Sequence, residues 1–187
     1  MRRRACLIAA PLALLRPPAF AQAPGFWALL REGGVAVLIR HAQTEPGLGD
    51  PAGFRIDQCQ TQRQLSAQGR AQAARLGEAF RQAGVRVDEV RSSAWCRCID
   101  TARLAFGQAT VWPALNSFFR DSGGDAQTAE ALRALQGLQR PRNWALVTHQ
   151  VNITALTGEV PSMGEVLLAR PRADGRGLQV LARHAFH

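Results

Sequence analysis

The chain has 187 residues, of which 47% are hydrophobic, and its formal net charge is +9 at pH 7. This length fits one domain. A chain of this size can bury a sizeable hydrophobic core without stabilisation by metal ions or disulfides. Every basic residue is an arginine, and the arginines beyond residue 4 are scattered without a basic run. The charge therefore indicates general attraction to anions, and we expect no nucleic-acid partner.

The first 23 residues have the pattern of an export signal. Arg2 to Arg4 precede an apolar segment, and small residues follow up to Ala23. The apolar segment is shorter than the ~20 residues that span a bilayer. We therefore predict an export signal segment over residues 1–23 and one domain over residues 24–187, without a stable membrane span. The predicted location is periplasmic or otherwise exported, and an uncleaved amphipathic anchor is the alternative.

The rest of the chain alternates between helical and strand patterns. Apolar periodicity and capping residues predict helices over 25–31, 67–82, 97–106, 128–138 and 150–157. Apolar runs predict strands over 35–39, 85–90, 110–112, 144–148, 165–169 and 178–183. Two polar segments, 42–63 and 116–125, are predicted as loops. The alternation predicts an α/β fold, a three-layer sandwich whose mostly parallel central sheet is flanked by helices.

Histidines and arginines follow the predicted strands at the point where each strand ends. The run "VLIRH" ends in Arg40 and His41, "WALVTH" ends in His149, and Arg97 lies in the first turn of a predicted helix. Ligands of such sheets bind beyond the carboxyl ends of the strands. Guanidinium groups match phosphate oxygens, a neutral imidazole can attack phosphorus, and a protonated one can stabilise the oxygens. The pattern predicts phosphoryl transfer.

In order and spacing, these residues resemble the histidine phosphatase superfamily, in its small, phosphoglycerate-mutase-like branch. The resemblance covers about residues 35 to 158. The segments that carry it are Arg40 to Thr44, Leu65-Ser66 with Gly69-Arg70, Ser92-Ser93 with Arg97 and Thr101-Ala102, and Val147 to His149. It implies that His41 becomes phosphorylated and that Arg40, Arg97 and His149 form the phosphate pocket. It also implies hydrolysis without a metal ion or other cofactor. The loop and helix sequences look like exported members, some associated with lipopolysaccharide-core heptose phosphate.

The chain departs from the family pattern at two places. Ala42 stands where the family has glycine, which costs little if its backbone conformation is ordinary. The glutamate that often serves as general acid is replaced by Asn116 or Ser117. We predict Asp121 as the substitute proton donor, with Glu45 as the second candidate.

Two further residues of the matching segments, Thr44 and Asn152, are predicted to contact the substrate. The predicted function is an exported phosphatase that hydrolyses a small phosphomonoester, with an envelope sugar phosphate as the leading candidate. Its ligand would be a small phosphorylated substrate or inorganic phosphate. The alternatives are a phosphate- or phospho-glycan-binding protein without turnover, and a hydrolase of phosphohistidine or phosphoanhydrides.

The cysteines outside the signal segment are Cys59, Cys96 and Cys98. In an oxidising setting we expect a disulfide from Cys59 to one of the other two. Residues two apart on a helix point about 200° apart, so only one can face Cys59. Cys96 is favoured because the residue after Arg97 should turn toward the core. Three free thiols are the alternative, and the spacing is poor for a metal site.

Overall fold

A computed structural model describes residues 25–119 and 123–186. The predicted export signal over residues 1–23 lies outside the described residues. The helices are α1 (Phe26–Glu32), α2 (Ala67–Gln82), α3 (Cys96–Phe106), α4 (Gly124–Leu135) and α5 (Gln150–Thr157). The strands are β1 (Val35–Arg40), β2 (Glu89–Ser92), β3 (Thr110–Val111), β4 (Asn143–Thr148), β5 (Glu165–Pro171) and β6 (Leu178–Ala185).

The strands form one six-stranded sheet in the order β3-β2-β4-β1-β5-β6. The pairs β3–β2, β2–β4 and β4–β1 are parallel, whereas β5 is antiparallel to both β1 and β6. The sheet is therefore mixed and mostly parallel, with β5 as the reversed strand. The predicted α/β fold class is confirmed.

Apolar residues on both faces of the sheet explain the two layers of helices. In β1, Val35, Val37 and Ile39 pack into the cluster that contains buried residues of α1, α2 and α3. Ala36 and Leu38 pack into the opposite cluster, with buried residues of α4 and α5. A strand that is apolar on both faces belongs in the middle of such a sandwich. Within the described ranges, no helix is long and apolar enough to cross a membrane.

Two predicted elements begin elsewhere in the structure. The strand predicted over 85–90 begins at Glu89. The segment before it does not pair as a strand, and Asp88 joins the start of β4 through hydrogen bonds with Asn143. The helix predicted over 128–138 spans Gly124–Leu135. Asp125 in its first turn favours the earlier start, since an acidic side chain suits the positive end of the helix dipole.

Candidate active site

The register of the parallel strands brings the two predicted histidines to one edge of the sheet. Arg40 of β1 pairs with Thr148 of β4, so the next residues, His41 and His149, lie side by side. Their ring centroids are 5.5 Å apart. On the other side of β4 lies β2, and the chain beyond it enters α3 with Arg97 in the first turn. The structure thus brings the four predicted residues of the phosphate pocket together.

The ring of His41 is held as a neutral imidazole with one nitrogen available for attack. Its Nδ1 lies 2.9 Å from the Ala42 carbonyl oxygen. A carbonyl oxygen only accepts hydrogen bonds, so Nδ1 carries the proton and Nε2 keeps its lone pair. Burial and the nearby positive charges of Arg97 and Arg40 lower the pKa of His41 to about 3. His41 therefore has the charge state that a nucleophile needs at neutral pH.

His149 is neutral as well, and the protonated second imidazole that the sequence analysis expects during catalysis stays a prediction. Its Nδ1 lies 3.5 Å from a guanidinium nitrogen of Arg97, which only donates. Its Nε2 therefore carries the proton and donates to the Ser93 hydroxyl at 2.9 Å. Burial, with His41 and the site arginines as further causes, holds the pKa of His149 well below its usual range. In the geometry shown, both ring nitrogens of His149 have protein partners.

Arg97 is engaged by a carboxylate that the sequence analysis missed. Its Nη1 and Nη2 donate to the two oxygens of Asp50, at 2.6 Å and 3.2 Å. Asp50 also accepts from the Trp95 indole N–H at 2.9 Å and from the Arg63 backbone N–H at 3.0 Å. Burial opposes the ionisation of Asp50, but these hydrogen bonds and the charge of Arg97 hold its pKa below its usual range. Asp50 is therefore an anion that fixes the Arg97 fork.

Arg63 is a third guanidinium at the site and was also missed. Arg63 donates to the Gly47 carbonyl, and Arg40 donates to the Pro161 carbonyl at 2.8 Å. Burial and neighbouring arginines lower the pKa of both groups. Among the described residues, the buried Nε–H groups of Arg40, Arg63 and Arg97 find no hydrogen-bond partner. Three crowded cations with unused donors favour an anionic ligand.

The long loop between β1 and α2 is tied to the start of α3. Cys59 forms a disulfide with Cys96, whereas Cys98 is free and buried; the predicted choice of Cys96 is confirmed. Next to this bond, the Gln62 side-chain oxygen accepts from the Cys96 N–H at 2.9 Å. These contacts hold the loop that carries Asp50 against the helix that carries Arg97.

Three residues named in the sequence analysis lie beside the site. Ala42 does not have a positive φ, so the exchange for the family's glycine causes no backbone strain. Thr44 was predicted to contact the substrate, but its backbone bridges to Leu65 and its hydroxyl lies 3.7 Å from the Met163 sulfur. It is buried and lies outside the cavity lining, and its contact with the substrate stays a prediction.

Asn152 was also predicted to contact the substrate, and the structure gives it a supporting place. Its Nδ2 donates to the Asn116 carbonyl at 2.9 Å. The Asn116 side chain in turn accepts from the Ala94 N–H at 2.8 Å. Asn152 thus anchors the segment that carries Ser117, which itself lines the cavity. Asn152 itself lies outside the cavity lining, and its direct contact with the substrate stays a prediction.

The predicted proton donors differ in position. Glu45 is exposed and lies outside the cavity lining, because its backbone pairs with Gln64 and directs it away. Asp121 lies outside the described residues. Within the part of the chain that the structure describes, Asp50 is the one carboxylate that lines the cavity. Because it is ionised and bound to Arg97, Asp50 cannot serve as an acid in this geometry.

These side chains surround a cavity of about 340 Å³. Its floor is formed by the buried residues His41, Arg97 and His149. Five apolar side chains also line the cavity, and we call them the apolar collar; they are Leu48, Phe54, Trp95, Phe119 and Val151. Across residues 25–119 and 123–186, no group of three His, Cys, Asp or Glu side chains is arranged to hold a metal ion.

Residues 36–121 match the sequence model of the histidine phosphatase superfamily (branch 1). The predicted family resemblance is confirmed. At the level of the histidine phosphatase family, the prediction of a phosphoric monoester hydrolase is confirmed as well. The matched segment contains His41, Arg40 and Arg97, whereas His149 lies beyond it. A search of curated proteins finds no significant match.

Several solved structures share the fold of the chain. A phosphoglycerate mutase from Thermus thermophilus is 23% identical, with a TM-score of 0.56 and coverage of 82% of this chain and 99% of that one. An alpha-ribazole phosphatase from Shigella flexneri is 20% identical, with a TM-score of 0.55 and coverage of 82% and 98%. A mycobacterial glucosyl-3-phosphoglycerate phosphatase in complex with VO3 is 19% identical, with a TM-score of 0.56 and coverage of 81% and 99%.

Proposed function

We propose that the protein is a phosphomonoester hydrolase that forms a phosphohistidine on Nε2 of His41. The observation that carries the proposal is the neutral His41, with Nδ1 bound to the Ala42 carbonyl, at the floor of a cavity that Arg40, Arg63 and Arg97 line. A nucleophile surrounded by permanent cations suits a dianionic phosphate ester. The family match supports the same chemistry.

In the first step, the lone pair on His41 Nε2 attacks phosphorus in line with the ester bond. The P–O bond breaks, and its electron pair leaves with the alcohol oxygen. The arginines neutralise the charge on the phosphoryl oxygens. In the second step, water attacks phosphorus and gives a proton to the carboxylate that protonated the alcohol, the N–P bond breaks, and its electron pair returns to Nε2 of His41 as phosphate leaves. Asp121 stays the predicted donor of the proton to the alcohol oxygen.

His149 would change its charge when substrate binds. Its neutral state follows from burial and from the surrounding positive charges. A phosphate dianion beside the ring reverses the sign of the neighbouring charge and raises the pKa. The weak 3.5 Å contact between Nδ1 and Arg97 would then give way to a hydrogen bond from a protonated Nδ1 to phosphate. In this way His149 can take the role that the sequence analysis assigns to it.

We further propose that the protein is exported, as the sequence of residues 1–23 predicts. The family resemblance suggests an envelope sugar phosphate as the substrate, whereas the apolar side chains that line the cavity favour a less polar alcohol. Amino-terminal sequencing of protein recovered from the periplasm would identify the cleavage site. Recovery of the uncleaved chain from the membrane fraction would instead support the anchor.

Turnover of p-nitrophenyl phosphate, with and without EDTA, tests the proposed reaction. We expect turnover that resists chelation and an acid-labile phosphoenzyme, both of which His41→Ala abolishes. His149→Ala should reduce the rate and still allow slow labelling of His41. Labelling that persists in His41→Ala would overturn the assignment of the nucleophile. Saturable binding of inorganic phosphate without turnover of any ester would support the binding-protein alternative.

A further inference from the structure

Large apolar side chains lie exposed in the lining of the cavity, although its floor is cationic. Leu48 is 84% exposed and Phe119 is 53% exposed, and both line the cavity that contains the buried His41 and Arg97. Large exposed apolar side chains grouped around a concave site indicate a binding surface. A phosphate ester bound in this cavity has its phosphate among the cations of the floor and its alcohol part beside the apolar side chains further out.

Aromatic rings connect the collar to the floor. The ring of Trp95 lies 5.2 Å from that of His149 in an edge-to-face arrangement, and Phe54 lies 6.0 Å from Trp95. The Trp95 indole N–H is bound to Asp50, so the orientation of this ring is fixed by the same carboxylate that fixes Arg97. The group attached to the phosphate would therefore leave the floor alongside aromatic faces.

We infer that the protein selects phosphomonoesters whose alcohol part is apolar, and that the apolar collar binds this part. The inference rests on the proposed function, because the phosphate must occupy the arginine floor. Hydroxyl groups of a free sugar would find hydrocarbon at the collar and would lose hydrogen bonds to water there. An alkyl or aryl group instead covers exposed apolar surface, and this burial favours binding.

A series of n-alkylphosphonates tests the inference by binding alone. Methyl-, butyl- and hexylphosphonate share one charged group and are not hydrolysed, so calorimetric titration reports only the contribution of the chain. We expect affinity to rise with chain length, by up to about fourfold for each methylene that becomes fully buried. The kcat/KM values of the matching alkyl phosphates, whose alcohols have nearly equal acidity, should rise in parallel.

Variants locate the effect in the collar. Leu48→Ser and Phe119→Ser should each reduce the ratio of hexyl- to methylphosphonate affinity severalfold. Leu104→Ser is the matched control, because Leu104 is an exposed leucine on α3 that lies outside the cavity lining; its ratio should stay at the wild-type value.

The outcomes separate this inference from the proposed function. Binding of methylphosphonate with no dependence on chain length would overturn the inference and leave the phosphatase intact. A six-carbon polyol phosphonate that binds as tightly as hexylphosphonate would also overturn it and favour a sugar phosphate. If neither inorganic phosphate nor methylphosphonate binds, the proposed function fails, and this inference fails with it.

Discussion

At the scale of single residues, the pairing of Arg97 with Asp50 sets the properties of the site. Both side chains are buried, at 4% and 7% exposure, and they share two hydrogen bonds. Removing one partner of a buried pair leaves an unpaired charge, which costs more than the pair itself contributes. The carboxylate therefore offsets part of the repulsion among the arginines, and it aims the Arg97 fork.

We predict that Arg97→Lys weakens phosphate binding, although the charge is kept. An ammonium group replaces a planar fork and cannot contact both Asp50 and phosphate in the same geometry. The inhibition constant for phosphate or vanadate should rise by the equivalent of about 1 to 3 kcal/mol, the range for a hydrogen bond to a charged group. Arg55→Lys is the control, since Arg55 forms an exposed pair with Asp57 on the preceding loop. An unchanged constant in Arg97→Lys would show that phosphate binds elsewhere.

At the scale of elements, close contacts hold the nucleophile segment against α2. Gly69 in the first turn of α2 lies so near the loop that an added Cβ would come within 1.8 Å of the Gln43 carbonyl oxygen. The same carbonyl accepts from the Ser66 N–H at 3.1 Å. Gln43 follows His41 by two residues, so the position of α2 helps to determine where the nucleophile lies.

Gly69→Ala is therefore predicted to destabilise the protein, even though alanine favours helices. Overpacking against backbone should lower the free energy of unfolding by about 1 to 3 kcal/mol, which thermal or urea unfolding would measure. Gly25→Ala is the control, because an added Cβ there meets nothing within 4 Å. Equal stability of the two variants would mean that the contact between α2 and the loop relaxes easily.

The disulfide between Cys59 and Cys96 acts on the same scale, because it joins the loop that carries Asp50 to α3. The two residues are separated by 37 positions, for which the chain-entropy model gives about 4 kcal/mol of stabilisation. We predict that reduction, or Cys59→Ser with Cys96→Ser, lowers the melting temperature and weakens phosphate binding together.

Mass mapping of the non-reduced protein provides the direct check on this bond. Beyond the predicted signal segment, one alkylatable thiol, Cys98, is expected, and only after unfolding, because the thiol is buried and burial raises its pKa to about 12. Three thiols that react without reduction would rule the disulfide out. A lower melting temperature with unchanged phosphate affinity would show that the bond stabilises the fold without shaping the site.

At the scale of the whole molecule, the buried neutral histidines link stability to pH. Burial and Arg97 lower the pKa of folded His41 to about 3, whereas unfolded histidine titrates near 6.5. Between these values the unfolded chain binds more protons, so the free energy of unfolding decreases as pH falls through this window. For His41 alone, the decrease from pH 6.5 to 5 is about 1.6 kcal/mol.

His41→Asn should accordingly show a shallower pH dependence of stability between pH 6.5 and 5 than the wild type. Urea unfolding at several pH values measures the slope. His184→Asn is the control, because His184 is exposed, and its slope should match the wild type. Equal slopes for wild type and His41→Asn would indicate that His41 is already protonated in the folded protein.

The sequence by itself determined the layered α/β fold, because strands apolar on both faces need helices on both sides. It also indicated that His41 and His149 meet, since adjacent parallel strands end at one edge of the sheet.

Tertiary structure alone decided that Asp50 and Arg63 join them: both lie in a loop without periodicity, and no local pattern predicts which side chains such a loop turns inward. The same holds for the contacts of Thr44, whose backbone bridges to Leu65 and whose hydroxyl lies 3.7 Å from the Met163 sulfur. Strand register follows from short-range regularity, whereas loop placement depends on contacts between distant residues, here the disulfide and the Asp50–Arg97 pair.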